Sequence, residues 1–279
     1  MVSTAEEFDV EAEAIATFSF ERTCGRWDAV EVTEDPRARN ELGGEHVGAT
    51  VWGASLLLAR HLEHRFVEGG EPLPRSALEL GAGTGLLGLV LCALGVSQVL
   101  CTDLPCRLPL LRHNLCRPRA LRAASALAAG ARAAGPRPAC AQLDWRCARA
   151  ELAASLADWR DRAAWPPELL VFADCTYVEA VWRPLLELLG ELREVFTMEI
   201  RRGPCGGEGE PRSMEVLFSH QEREPGDLEP FLAALRRSRA GCDVQELTTE
   251  GLDPGCAWYP PKRFRMFALH WGGAESCGR

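Results

Sequence analysis

An α/β fold with a mostly parallel sheet is predicted by two features of the sequence. From residue 76 onward, short apolar stretches alternate with longer stretches of helical spacing, an order typical of a sheet that is covered by helices on both faces. A glycine-rich turn follows the first of these apolar stretches, at the position where such sheets bind ligands. We therefore predict a seven-stranded sheet with helices on both faces, an antiparallel last strand and an N-terminal β-hairpin extension.

Composition limits the class of protein further. The chain has 279 residues, of which 47% are hydrophobic and 25% are charged, enough apolar material for one large domain or a domain with a small appendage. A net charge of −9 disfavours binding to nucleic acid or to a membrane. The acidic first residues and the lack of a long apolar run predict a cytoplasmic or nuclear protein. The 12 cysteines contain no Cys-x-x-Cys pair, so we expect buried thiols and no metal site.

The N-terminal region is predicted to be a hairpin. Apolar and polar positions alternate over Ala16–Phe20 and over Trp27–Thr33, and residues 36–48 are polar and contain glycine. We therefore divide the chain into a hairpin extension over residues 1–48 and a main domain over residues 49–279.

The main domain is predicted to contain seven strands and the helices that connect them. The predicted strands are Ala77–Leu80, Gln98–Thr102, Ala139–Asp144, Leu169–Ala173, Val195–Ile200, Asp243–Leu247 and Phe264–Trp271. The predicted helices are Val51–Arg65, Leu86–Leu94, Leu108–Leu115, Ala148–Trp159, Trp182–Leu189, Arg212–Gln221 and Leu228–Arg237. The alanine- and arginine-rich stretch Ala120–Pro138 fits either a helix or an exposed insertion. No helix separates the last two strands, which predicts an antiparallel pair at one edge.

The turn Glu79-Leu-Gly-Ala-Gly-Thr-Gly85 joins a predicted strand to a predicted helix. Glycine is needed where the backbone adopts unusual dihedral angles or where a ligand approaches the main chain closely. A dinucleotide fingerprint would place a third glycine where this chain has Leu86, and a P-loop would need a lysine that is absent from the turn. The spacing instead resembles the first motif of the seven-strand S-adenosylmethionine methyltransferases.

Two residues at the ends of the next two strands suit a nucleoside. Asp103 lies about twenty residues after the turn, where a carboxylate can accept hydrogen bonds from both ribose hydroxyls, although an aspartate in this place can also cap a helix or a turn. Trp145 can offer a flat face to an adenine ring, with Asp144 or a backbone amide at the amino group of the ring. The alternative for Trp145 is a place in the core.

Asp174 and Tyr177 follow the fourth predicted strand and therefore face the same crevice. A methyl transfer needs a neutral amine that is held close to the methyl carbon. Asp174 can accept hydrogen bonds from the amine, and Tyr177 can shape the pocket and orient the nitrogen. Because a carboxylate raises the pKa of an amine, we expect Asp174 to position the amine and not to deprotonate it. The alternative for Asp174 is a turn or cap residue.

An ordered set of motifs covers about residues 48–202. Its segments are Val51-Trp-Gly-Ala-Ser55, Glu79–Gly85, Val99-Leu-Cys-Thr-Asp-Leu104, Asn114, Leu143-Asp-Trp145 and Ala173-Asp-Cys-Thr-Tyr-Val-Glu179. This set resembles the motifs of the family-16 group of seven-strand protein lysine methyltransferases, which includes the valosin-containing-protein lysine methyltransferase and several elongation-factor lysine methyltransferases.

The resemblance implies a Rossmann-like class I methyltransferase fold, S-adenosyl-L-methionine as the cofactor, and a lysine of a protein as the acceptor. It also implies a substrate that is a cytosolic chaperone, an ATPase or a translation factor. We further expect the protein to be a monomer. The catalytic residues that it implies are Asp174 and Tyr177. The cofactor-binding residues that it implies are Trp52, Glu79, Gly81, Ala82, Gly83, Gly85, Asp103, Leu104, Trp145 and Ala173.

Some features depart from the family pattern, and rival functions stay open. Gly53 follows the tryptophan where the family often has an acidic residue, and residues 203–211 are rich in glycine, so the identity of the substrate does not carry over. A nucleic-acid adenine methyltransferase would have two prolines where this chain has Cys175 and Thr176. The sequence is also compatible with a small-molecule amine methyltransferase, with a protein histidine methyltransferase and with a non-catalytic cofactor-binding partner protein.

Overall fold

The computed structural model describes residues 16–20, 29–35, 47–116, 138–147, 166–202, 214–240, 243–252 and 264–271. Within these ranges, seven strands form one sheet and two strands form a separate hairpin. No helix in this part of the chain has the length and apolar character to cross a membrane. The predicted helix Ala148–Trp159, residues 120–137 of the alanine- and arginine-rich stretch, and the glycine-rich loop at residues 203–211 lie outside the described residues.

The described part of the chain alternates strands and helices as expected. The strands are β1 Ala16–Phe20, β2 Val30–Glu34, β3 Ser76–Leu80, β4 Gln98–Asp103, β5 Ala139–Gln142, β6 Leu169–Ala173, β7 Met214–Gln221, β8 Val244–Leu247 and β9 Phe264–Trp271. The helices are α1 Gly53–Glu63, α2 Leu86–Leu94, α3 Leu108–Cys116, α4 Trp182–Arg202 and α5 Glu229–Arg237. A turn of π-helix, His64–Glu68, continues α1.

The sheet has the strand order β5-β4-β3-β6-β7-β9-β8. Strands β3 to β7 pair in parallel, and β9 is antiparallel to both of its neighbours, β7 and β8. The predicted seven-stranded sheet with an antiparallel last strand is therefore confirmed. Because β3 lies between β4 and β6, the turns that follow these three strands meet at one edge of the sheet, where open α/β sheets form their binding crevice.

Alternate residues of the sheet point into two hydrophobic cores. In β3, Ala77 belongs to the core that contains α1, α2 and α3, whereas Leu78 belongs to the core that contains α4 and α5. The same alternation separates Leu217 of β7 from its neighbour Phe218. Helices thus cover both faces, as the sequence predicted.

The N-terminal hairpin packs against α2. Every residue of α2 is buried, which leaves this helix without a polar face. Val30 and Val32 of β2 lie in the same core cluster as α2, so the hairpin supplies the apolar cover that such a helix requires. The predicted hairpin is confirmed, with its second strand at Val30–Glu34 instead of Trp27–Thr33. The boundary at residue 48 stays a prediction.

Two elements after residue 190 differ from the prediction. Val195–Ile200, predicted as a strand, belongs to α4, whose buried residues Leu185, Leu189, Leu192 and Phe196 recur at helical spacing. The segment predicted as the helix Arg212–Gln221 contains the strand β7 instead. Strand β7 is buried on both faces, so its sequence shows no alternation of apolar and polar residues and resembles a helix segment.

Asn114 of α3 joins the hairpin to the glycine turn. Its Oδ1 accepts a hydrogen bond from the Thr33 amide at 2.8 Å, and its Nδ2 donates to the carbonyl oxygens of Thr33 at 3.1 Å and Thr84 at 2.9 Å. The Asn114 side chain is fully buried. The side-chain amide of Asn114 therefore forms hydrogen bonds with three backbone groups, two at Thr33 and one at Thr84.

We expect the substitution Asn114→Ala to lower the free energy of unfolding by about 2–4 kcal/mol, because it leaves buried backbone groups without a partner. Urea denaturation of the full chain measures this change. The control Cys116→Ala alters an exposed residue of the same helix and should change the free energy by less than about 0.5 kcal/mol. Equal effects of the two substitutions would contradict the joining role of Asn114.

Candidate active site

A cavity of about 450 Å³ lies at the carboxyl edge of the parallel strands. Its walls come from the segments after β3, β4, β5, β6 and β7, from the segment before α1 and from the start of α4. It brings together nearly all of the residues that the sequence singled out, namely Trp52, Glu79, Gly81, Ala82, Gly83, Asp103, Leu104, Trp145, Ala173, Asp174 and Tyr177. Gly85 is not among the lining residues, and Arg107 and Arg223 line the cavity although the sequence did not single them out.

Two features of the glycine turn require glycine, namely the backbone angles and the close packing of neighbouring atoms. Gly81 and Gly83 have φ angles of +62° and +56°, which favour glycine. A Cβ atom on Gly81 would lie 2.8 Å from the Cys175 sulfur, and one on Gly83 would lie 2.7 Å from the Gly48 carbonyl oxygen. At Gly81 and Gly83 the backbone therefore contacts neighbouring residues so closely that no side chain would fit.

Gly85 lies at the start of α2 and is not among the residues that line the cavity. It has a φ angle of +80° and occupies the position before the first residue of the helix. A Cβ atom there would lie 2.6 Å from Leu111 Cδ1, so the absence of a side chain lets α3 pack closely. The predicted contact of Gly85 with a cofactor stays a prediction.

Asp103 holds the glycine turn against the end of β4. Its Oδ2 accepts a hydrogen bond from the Gly83 amide at 2.6 Å, and its Oδ1 accepts one from the Leu104 amide at 2.7 Å. Burial raises the pKa of this carboxyl group. Each carboxylate oxygen can accept a further hydrogen bond, so the turn-holding role and a role in binding hydroxyl groups are compatible.

Glu79 is a buried acid at the start of the turn. Its Oε2 accepts a hydrogen bond from the Gly88 amide in the first turn of α2 at 2.9 Å. Burial raises the pKa of Glu79 to about 8, against the hydrogen bonds from Cys101 and Gly88, which lower it. At neutral pH the side chain is therefore largely protonated.

Asp174 has an unusual backbone and a strong ion pair. Its φ angle is +54°, the one positive value among the non-glycine residues that the structure describes. Its amide donates to the Ser219 carbonyl oxygen at 2.8 Å. Both carboxylate oxygens accept from the guanidinium of Arg223, Oδ1 from Nη1 and Oδ2 from Nη2, each at 2.6 Å. Such a two-point pair fixes the orientation of the carboxylate as well as its place.

Arg223 is the main site residue that sequence reasoning missed. It follows β7, 49 residues after Asp174, and its Nη1 also donates to the Gln221 carbonyl oxygen at 2.7 Å. Its guanidinium carbon lies 5.9 Å from the centre of the Trp52 ring and 5.5 Å from that of the Tyr177 ring. A single arginine in a loop belongs to no sequence motif that would mark it as a site residue. Only the predicted position of its partner, Asp174, could have indicated a role for Arg223.

A buried histidine supports the segment after β6. His220 Nδ1 lies 2.8 Å from Thr176 Oγ1, and its Nε2 lies 3.1 Å from Asp227 Oδ1. Burial lowers the pKa of His220, so the ring is neutral at pH 7. A neutral ring that donates from Nε2 to Asp227 accepts the Thr176 hydroxyl at Nδ1, which fixes the backbone beside Asp174.

Trp145 and Asp144 follow β5 and also line the cavity. A Cβ atom on Gly81 would be 3.2 Å from Trp145 Cζ2, so the indole lies against the glycine turn. Asp144 pairs with Arg146 Nη2 at 2.6 Å, and this hydrogen bonding lowers the pKa of Asp144. Within the described ranges, no cluster of three or more histidine, cysteine or acidic side chains is arranged to hold a metal ion.

A seven-stranded α/β sheet with a glycine turn and an acidic side chain at its carboxyl edge defines a protein built to bind a nucleoside-containing ligand. A family model described as lysine methyltransferase matches residues 34–200, more than half of the chain. The chain belongs to the lysine methyltransferase family, as its ordered motifs predicted.

Individual relatives match shorter stretches. The protein N-lysine methyltransferase METTL21A of Mus musculus is 40% identical over 101 residues, which are 36% of this chain and 39% of that protein. The METTL21A protein of Xenopus tropicalis is 45% identical over 69 residues, 25% of this chain and 30% of the relative. The chain thus matches less than half the length of these relatives. The solved structure of cofactor-bound Rv0187 from MTB is 15% identical, with 79% of this chain and 80% of that chain covered and a TM-score of 0.40.

The pKa of Glu79 makes stability depend on pH. The folded chain holds a proton on Glu79 up to about pH 8, whereas the unfolded chain releases it near pH 4.5, so stability falls as pH rises between these values. The slope from this group is at most about 1.4 kcal/mol per pH unit. Glu79→Gln removes the titration while keeping an acceptor for Gly88, so the free energy of unfolding of the variant minus that of the wild type should rise steadily from pH 5 to pH 8.

Urea denaturation at several pH values measures the difference between the two proteins. The matched control Glu194→Gln changes an exposed carboxylate on α4 and should show no such trend. A constant difference between Glu79→Gln and the wild type across this range would mean that Glu79 is ionised in the folded protein.

Proposed function

We propose that the protein transfers a methyl group from S-adenosyl-L-methionine to a lysine side-chain nitrogen of a protein substrate. The observation that carries the proposal is one cavity that two chemically different sets of residues line. The glycine turn and Asp103 line the end beyond β3 and β4, and Asp174 with Tyr177 lines the end beyond β6, on the other side of β3. Membership of the lysine methyltransferase family supports the same reaction.

The first end of the cavity fits the proposed cofactor. The whole cavity has a volume of about 450 Å³, within the range of about 300–1,000 Å³ that is usual for small-molecule and cofactor sites. Asp103 is held in place by two backbone amides and still has acceptor capacity for ribose hydroxyls. Gly81 and Gly83 would approach the ligand with backbone atoms alone, and Trp145 would lie against the adenine ring.

The second end of the cavity fits a lysine side chain. When bound, the cofactor supplies an electrophilic methyl carbon on a sulfonium. Asp174 would accept a hydrogen bond from the lysine nitrogen, and the rings of Trp52 and Tyr177 would flank it, because aromatic faces and carboxylates both favour amines and their cations. These contacts would hold the lone pair of the nitrogen in line with the carbon and so lower the entropic cost of the transfer.

We further propose a substrate among cytosolic chaperones, ATPases or translation factors, as the family resemblance implies. The net charge of −9 suits a basic protein surface better than nucleic acid or an anionic membrane. We propose that the enzyme acts as a monomer in the cytoplasm or the nucleus.

Incubation of the purified protein with labelled cofactor and a cell extract should label a discrete protein band, and mass spectrometry of that band should show a methylated lysine. Asp174→Ala should abolish the labelling, because it removes the group that positions the amine. Glu194→Ala removes the same charge from an exposed position and should leave the labelling unchanged. Label only in nucleic acid or metabolites, or on histidine, would show that the acceptor assignment is wrong.

Calorimetric titration of S-adenosylmethionine tests the cofactor end separately. Asp103→Ala should weaken binding by about ten- to a hundredfold, the range expected for lost hydrogen bonds to a charged group. Asp174→Ala should change this affinity much less. Thermal melting of each variant shows whether the fold is intact. If the wild type and Asp103→Ala bound S-adenosylmethionine with equal affinity, Asp103 would have no role in binding the ribose.

A further inference from the structure

Without a counter-charge, Asp174 would favour the protonated form of the acceptor lysine, which is not nucleophilic. An unpaired carboxylate about 4 Å from an amine stabilises the ammonium form by about 4 kcal/mol at the effective dielectric constant typical near a protein surface. The nitrogen of an ammonium ion has no lone pair to donate. A site that positions lysine with a carboxylate therefore needs something that offsets the negative charge.

The ion pair between Arg223 and Asp174 meets this need. The Asp174 side chain is 3% exposed, and both of its oxygens lie 2.6 Å from guanidinium nitrogens. The Arg223 side chain is 29% exposed and lines the same cavity, so the pair borders the space that an acceptor would enter. An arginine stays charged at every relevant pH, which makes the neutralisation permanent.

We propose that Arg223 neutralises Asp174, so that Asp174 offers acceptor lone pairs to the substrate amine without a net negative charge and the amine stays unprotonated. Arg223 is then a positioning residue that acts through Asp174. This inference rests on the proposed function and extends it to the proton state of the acceptor.

The reaction balances without a further reagent. The lysine ammonium releases one proton to solvent before the transfer. The nitrogen lone pair then forms the new carbon–nitrogen bond, while the electron pair of the broken carbon–sulfur bond stays on sulfur. The methylated ammonium that results can release a second proton to solvent.

Other charged groups nearby do not replace Arg223. His220 Nδ1 lies 4.0 Å from Asp174 Oδ1, but burial lowers the pKa of His220 and the ring is neutral at pH 7. Burial raises the pKa of Tyr177, which is therefore also neutral. Of the other arginines that line the cavity, Arg146 pairs with Asp144 at 2.6 Å, and the charge of Arg107 acts on Asp103, where it opposes the effect of burial on the pKa. The other titratable groups near the site are carboxyl groups and a thiol, which cannot supply a positive charge: Glu79, Asp103, Asp144, Cys175, Glu179, Glu222 and Asp227.

The test is the pH dependence of methylation of the labelled acceptor protein by the wild type, Arg223→Gln and Arg223→Lys. In Arg223→Gln the carboxylate loses its counter-charge, so the acidic limb of the rate profile should move up by about one pH unit or more. Its rate at pH 7 should fall at least tenfold and recover at high pH. Arg223→Lys keeps the charge, so its acidic limb should stay near that of the wild type even if its rate is lower.

The double variant Asp174→Asn/Arg223→Gln separates charge from structure. It removes both charges, so its acidic limb should return towards that of the wild type. A merely structural Arg223 would instead lower the rate of Arg223→Gln by the same factor at every pH, and that result would overturn the proposal. Thermal melting shows whether each variant is folded.

A second readout needs no acceptor protein. Calorimetry compares the affinities for S-adenosylmethionine, whose sulfonium is a cation, and for S-adenosylhomocysteine, whose sulfur is neutral. Because opposite charges attract, an unpaired Asp174 in Arg223→Gln should raise the preference for the cation by about threefold or more over that of the wild type. An unchanged preference would overturn the role of Arg223 and leave the proposed function standing. A wild type that bound neither ligand would overturn the proposed function, and the inference with it.

Discussion

The hydrogen bond from the Gly83 amide to the Asp103 carboxylate joins the turn after β3 to the end of β4. The Ala82 amide reinforces it by donating to the Thr102 carbonyl oxygen, and the Thr102 hydroxyl donates back to the carbonyl oxygen of Glu79. β3 and β4 run parallel, so these bonds keep two neighbouring strand ends together. A carboxylate that is already fixed by amides needs little rearrangement when a ligand binds, which is the advantage of a preorganised site.

The hairpin and Asn114 stabilise the glycine turn and the segment before α1 by further hydrogen bonds. Asn114 contacts both β2 and the Thr84 carbonyl oxygen, while the Glu34 carboxylate accepts hydrogen bonds from the Thr50 hydroxyl at 2.7 Å and the Val51 amide at 2.5 Å. The segment that leads to Trp52 is therefore held by the hairpin. The N-terminal strands thus form part of the scaffold of the cavity, although none of their residues lines it.

The sequence predicted the sheet, the glycine turn and the positions of Asp103 and Asp174, because each follows from local pattern at a strand end. It misplaced one strand, because β7 is buried on both faces and lacks alternation, and because the β-branched residues of Val195–Ile200 are more typical of strands than of helices. It could not predict Arg223, since the pair with Asp174 depends on how two distant loops meet. Electrostatic properties such as the raised pKa of Glu79 likewise arise from packing and not from sequence order.

The left-handed backbone at Asp174 limits which residues can stand there. Aspartate and asparagine enter this region more readily than other residues with side chains, because a short polar group can bond locally. Glutamate would keep the charge, but it would cost about 1–2 kcal/mol of backbone strain and reach one methylene farther into the cavity. Asparagine and glycine suit the same backbone, but both would remove the charge. Among the two acidic residues, aspartate is therefore the one that this backbone accommodates with the smaller strain.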